Sequence, residues 1–400
     1  MDNANNTINT NSFIVNKKRK RDDIEIEENN SSININLNIN KEKFKIEYLH
    51  KNPNFIYNST IIHTNDGNLL NNKFETYLSY KDKKLYLASP NHFNYQLYIL
   101  CLNNNKILRK LKGHSYFVTS IRYFFNKTNK NEYLLSSDGN KWVILWDINN
   151  NFDKKVIINC KYKNNYIYSC LILFNAFNTN YLSSSNSSTS ENDDNSNNNS
   201  FIIISSNTLS NDYENKEYTN IYLLENGSFI KNTYNNNTNY LLSWVNNFDN
   251  KEYIIELCSD KVIIYNIFDD EIYCAFDNGI NYMSGFILHK DEEGDFLYTN
   301  SIEKYIYIYN INQKILINTI NIGGWSLYNL VQWNEKYLII IDSYKKALKI
   351  IDIVQGKAIT CLGNIHSVGI TSIKKINHPI YGDSILTSGK DNKIKLWVLK

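Results

Sequence analysis

Residues 382–400, GDSILTSGKDNKIKLWVLK, constrain this chain more than any other stretch. Ile385 and Leu386 open a short apolar run, and Thr387-Ser388-Gly389-Lys390-Asp391-Asn392 makes a polar turn. Ile394, Leu396 and Val398 then alternate with Lys393, Lys395 and Trp397. Period-2 alternation around a tight turn is the pattern of paired, half-buried strands. A second segment repeats the spacing with Gly113-His114, then Tyr133-Leu134-Leu135-Ser136, then Val143 to Asp147 around Trp146. Weaker runs, KVIIYNI (261–267), YIYIYNI (305–311) and ALKIIDI (347–353), hold Tyr265, Tyr309 and Ile351 where those two segments hold Trp.

The repeat has a measurable period. Small or polar residues in the expected innermost strands, Ser120, Ser169, Ser243, Gly285, Asn329 and Ser372, are separated by 49, 74, 42, 44 and 43 residues. A recurrence in the forties is that of four-stranded propeller blades. The long interval contains a stretch, 178–200, made almost wholly of Ser and Asn, which is expected to be a disordered loop between the first two strands of its blade. The expected blades are 74–112, 113–160, 161–236, 237–278, 279–322, 323–364 and 365–400. The last has only three strands of its own. The segment from Phe55 to His63 is expected to supply its fourth and so close the ring, which removes the open edge.

A strand ending in Trp, an Asp six residues earlier, a Ser or Thr ten residues earlier and an upstream His together resemble the WD repeat. The resemblance implies a hydrogen-bonded tetrad in each well-kept copy. His366, Thr387, Asp391 and Trp397 fill it in the last copy; His114, Ser136 and Trp146 fill it in the other, where Asn140 takes the Asp place and Asp138 stands nearby. It also implies an all-β, seven-bladed propeller over residues 44–400 that serves as a non-enzymatic scaffold or adaptor for other proteins or peptides. A ubiquitin-ligase substrate receptor is a second reading. Against it, Asn149 stands two places after Asp147, where such receptors often carry Arg, and no F-box-like helical segment precedes the propeller. A nuclear RNA or ribosome-assembly factor is a third.

Residues 1–43 are polar and Asn-rich and are expected to form a disordered tail. Within them Lys17, Lys18, Arg19, Lys20 and Arg21 form a basic run that resembles a nuclear import signal. With 43 basic against 40 acidic residues, the chain has no overall nucleic-acid signature, so nucleic acid is expected only through that tail. Six scattered cysteines without a CxxC pair read as reduced core residues, and no apolar run is long enough to span a bilayer, so an intracellular protein with no membrane partner is expected. The seven His are dispersed without metal-ligand spacing, and Gly323-Gly324 does not open a phosphate loop, so no catalytic, cofactor or metal site is expected.

The candidate binding residues come from aromatics near the entries to the innermost strands. Phe117, Tyr166 and Tyr240 lie three places before the register marks, with Tyr282 and Trp325 in comparable places. Tyr116, Phe117, Tyr166, Tyr282 and Trp325 are the expected contact set, because rigid aromatics offer contact area at low entropic cost. Trp244 and Trp333 are expected in the core.

Overall fold

The computed structural model describes residues 37–39, 42–44 and 46–48, and from 74 to 399 all except 92–94, 105, 161–164, 177–198, 209–216, 236–237, 259, 269–270, 278–282, 302–303, 324–329, 343–345, 364, 379–380 and 392–393. Seven four-stranded antiparallel sheets follow one another along the chain, at 75–111, 118–159, 165–235, 238–277, 283–321, 331–362 and 370–399. Each falls inside the blade expected from the sequence. In the first six blades the four strands pair in chain order, so the first strand is innermost and the fourth is the outer edge.

The seventh blade takes its fourth strand from the N-terminal side of the chain. Ile46–Tyr48 pairs antiparallel with Ile394–Leu399, with Tyr48 opposite Trp397. This corrects the expected closing segment, Phe55 to His63, which lies outside the described residues. A short ladder of Leu37–Ile39 on Glu42–Phe44 runs from within the expected tail to one residue past it, where disorder was expected; the basic run Lys17 to Arg21 lies outside the described residues.

Apolar faces on both sides of each blade explain why the sheets array. The core is a series of layers between neighbouring blades. One layer joins Tyr77, Ile99 and Leu111 of the first blade to Leu134, Ile144 and Trp146 of the second. Another joins Leu87 and Leu100 of the first to Leu386 and Leu396 of the seventh, which closes the ring. Trp244 and Trp333 are both buried. Each fully buried Leu, Ile or Val contributes about 1.5–3 kcal/mol, so the blades hold together through summed side-chain burial.

With few glycines, the turns are made another way. Among the described residues, six of the ten non-glycine residues with positive φ are lysines, and two, Asn151 and Asn250, are asparagines. Asn acts mainly through its side chain. The Asn126 Oδ1 accepts the Thr128 N–H at 2.9 Å, and Asn246 and Asn266 make the same turn with Phe248 and Phe268.

Candidate functional site: an aromatic cluster at the channel mouth

The connection from one blade's outer strand to the next blade's inner strand emerges at the same end of the sheets as the turn between second and third strands. Tyr116 and Phe117 sit in such a connection, just before strand Val118–Phe125, with ring centroids 4.2 Å apart. Tyr95, in the turn before strand Gln96–Cys101 of the first blade, stacks on Tyr116 at 6.0 Å. All three are half-buried. Beneath them Gly139 leaves no room to spare: a Cβ there would lie 3.0 Å from both the Tyr116 and Phe117 rings. The result is a rigid aromatic patch shared by two blades. Tyr95 was not anticipated, because its turn carries no repeat mark.

Of the other expected contact residues, Tyr166 lies in strand Asn165–Ala176 opposite Asn207, while Tyr282 and Trp325 lie outside the described residues. The register expected for the fourth blade needs correction. A bulge interrupts the inner pairing just before Ser120, Ser169, Tyr240, Gly285 and Ser372. Tyr240, rather than Ser243, therefore stands level with Ser120. The spacing misled because Asn237 and Thr238, at the entry to that blade, carry no aromatic or glycine to mark it.

Beside this face lie two buried networks. In the seventh blade the Trp397 Nε1–H donates to Thr387 Oγ1 at 2.9 Å, Thr387 Oγ1 is 2.9 Å from His366 Nε2, and His366 Nδ1 is 2.8 Å from Asp391 Oδ1. Thr387 Oγ1 thus links the indole N–H to the imidazole, whose other nitrogen carries the chain on to the carboxylate. Gly389 makes the approach possible, since a Cβ there would collide with both the His366 ring and the Asp391 carboxylate. In the second blade Trp146 Nε1–H donates to Ser136 Oγ at 2.8 Å, Ser136 Oγ is 2.7 Å from His114 Nε2, and His114 Nδ1 is 3.1 Å from Asp138 Oδ2. The carboxylate comes from two residues after the hydroxyl, where the seventh blade has its glycine. Asp138 also accepts the Asn140 and Trp142 N–H groups at 2.9 and 3.0 Å, so Asn140 contributes only backbone.

Burial alone would raise the Asp391 carboxyl, but the hydrogen bond and charge of His366 and the Ser367 N–H bring it down to about 2, from an ordinary 3.8. A depressed carboxyl stabilises the fold fully above the ordinary value and loses that contribution as pH falls through the folded one. We expect about 1–2 kcal/mol of stability, after allowance for solvent screening, to disappear between roughly pH 4 and pH 2. Urea unfolding of the parent and of Asp391→Asn across that range checks this, and the acid slope should be shallower in the variant.

A family model described as WD domain, G-beta repeat matches residues 105–147 and 357–398, the two segments that carry these networks. The chain is a seven-bladed propeller in which two blades carry WD repeats. No curated protein matches the sequence at a significant level. Among solved structures, one described as the crystal structure of BBS1N in complex with ARL6DN, soaked with lead, is similar over 83% of this chain and 93% of that one, with a TM-score of 0.58 at 11% identity. That likeness concerns the fold.

The other blades of the propeller show what happens when the network is not kept. Strand pairing places Glu256 where Ser136 stands and Tyr265 where Trp146 stands. There the Tyr265 hydroxyl donates to Glu256 Oε1 at 2.5 Å, and Thr219 and Thr238 donate to the same carboxylate at 2.7 and 3.2 Å. Burial nevertheless pushes the Glu256 carboxyl up to about 7 against those hydroxyls. In the sixth blade the pair is Ile340 and Ile351, both fully buried. Replacing both partners of a buried hydrogen bond by apolar groups is nearly neutral, whereas losing one is costly.

A further pattern went unnoticed in the sequence. Glu132, Glu252, Asp295 and Asp383 stand at equivalent places near the start of their second strands, in NEYLL, KEYII, GDFLY and GDSIL. Two of them tie neighbouring blades together. Glu132 accepts the Tyr80 N–H at 2.7 Å and the Tyr123 hydroxyl at 3.0 Å, and Asp295 accepts the Trp244 indole N–H at 2.7 Å. The signal was an acid directly before an apolar, aromatic-rich run.

Among the described residues no helix is long and apolar enough to cross a membrane, and no group of His, Cys, Asp and Glu is arranged to hold a metal.

Proposed function

We propose that this propeller is a non-enzymatic scaffold that binds a protein or peptide on the face carrying Tyr95, Tyr116 and Phe117. The observation that carries the reading is the cluster itself: three aromatics from two blades, half-exposed, stacked and braced against Gly139. Aromatics fixed in this way add contact area without losing rotamer freedom on binding, which is how interface anchors work. The solved propeller BBS1N, in complex with ARL6DN, is a protein of this fold described with a partner.

The double substitution Tyr116→Ser with Phe117→Ser tests it. A partner recovered with the parent protein and identified should bind the variant at least about tenfold more weakly, a change of about 1.4 kcal/mol, with the melting midpoint little changed. Equal affinity for parent and variant would overturn the reading.

A further inference from the structure

The first strands line the central channel, and their pairing sets which residues share a level. Lys374 of the seventh blade, Glu75 of the first and Arg122 of the second stand at equivalent places, one level with Leu171, Leu242 and Ile287. Lys374 Nζ contacts the Glu75 carboxylate and lies 3.3 Å from the Thr76 carbonyl. That pair is neutral. Arg122 is therefore the unbalanced charge at this level among the described residues.

Its surroundings are poor in compensation. One guanidinium N–H donates to Ser169 Oγ of the third blade at 3.0 Å, and that hydroxyl also accepts the Leu241 N–H at 3.2 Å. Burial works against its charge, and the groups that bear on it electrostatically are Cys170 and Tyr240, neither of them a carboxylate. An arginine stays charged in a protein, and a half-buried charge without an anionic partner is costly. Ser169 stands level with Ser120, two residues nearer than Arg122 to the end of the strands where Phe117 lies. The guanidinium thus leans toward the aromatic face, with four N–H donors unspent among the described residues.

We propose that Arg122 is the receptor for a carboxylate carried by whatever docks on that face. This deepens the reading of the face as a peptide-binding surface and rests on it. A single planar cation with a free edge matches a monoanionic carboxylate, which a guanidinium grips in bidentate fashion. A dianionic phosphate would leave one negative charge unmet at this level. The carboxylate can come from an acidic side chain or from a chain terminus, and the two sources are distinguishable.

The experiment follows the arginine Nε–H resonances of the full chain during titration with N-acetyl-aspartate amide, N-acetylglycine and inorganic phosphate at constant ionic strength. A saturable shift of the Arg122 resonance with N-acetyl-aspartate amide is expected for a side-chain source, and with N-acetylglycine for a terminal one. Arg122→Lys should weaken that response at least fivefold. In Arg122→Gln, tryptophan or backbone resonances that report the same titration should no longer move, while the melting midpoint holds or rises because an uncompensated charge has been removed. No saturable shift with either carboxylate, a response to phosphate alone, or a sharp loss of stability in Arg122→Gln would overturn the proposal. The Tyr116 and Phe117 test would be unaffected by that failure.

Discussion

Trp397→Ala is expected to destabilise the propeller by about 3–5 kcal/mol, the usual cost of emptying a large aromatic site in a core. Trp397 is only 6% exposed and its indole N–H is held by Thr387. Domain stabilities are about 5–15 kcal/mol, so this single change consumes a large share. Two controls separate packing from hydrogen bonding. Trp397→Phe keeps most of the volume and removes the N–H, and should cost about 1–2 kcal/mol. His366→Ala leaves Thr387 and Asp391 without their shared partner and should cost about 1–3 kcal/mol. Equilibrium unfolding in urea gives all three. If Trp397→Ala cost no more than Trp397→Phe, the site would have collapsed around the loss, and the indole would not be a keystone of its blade.

Much of the fold was legible because a few residue types have narrow physical uses. Trp397 with Asp391 six residues before it and Thr387 ten before it can be read at sight, and its spacing propagates to Trp146. Blade limits followed from alternation and turn residues, but strand Asn199–Thr208 begins inside the stretch 178–200 expected to be loop, the rest of which lies outside the described residues. What escaped depends on three-dimensional substitution. Asp138 replaces a carboxylate from elsewhere in the motif because its own position, glycine in the other copy, points at the same imidazole. No spacing rule reports that exchange. The fourth blade's register was missed because a bulge shifts side-chain phase without changing composition. The closing strand did leave a trace: Phe44, Ile46 and Tyr48 alternate with Lys45 and Glu47, a cleaner period-2 pattern than Phe55 to His63. The aromatic face was half legible. Tyr116 and Phe117 were marked by their place before an inner strand, whereas Tyr95 reaches them from a neighbouring blade.

Removing the closing strand should have the second large effect. A chain starting at residue 50 lacks Ile46–Tyr48, which leaves Ile394–Leu399 as an unpaired outer strand, while one starting at residue 40 keeps the pairing. An exposed edge opens more readily and invites pairing between molecules. Because Trp397 lies in that strand opposite Tyr48, opening it also loosens the complete network of the seventh blade.

A platform that presents a fixed face requires a closed ring, and hydrogen exchange at Ile394–Leu399 measures that closure directly. The two shortened chains are compared under conditions where local opening limits exchange. The chain from residue 40 should protect these amides as well as the full-length protein does, and the chain from residue 50 should exchange them at least about a hundredfold faster, a difference of about 2.7 kcal/mol in opening free energy. Equal protection in both shortened chains would contradict closure by Ile46–Tyr48.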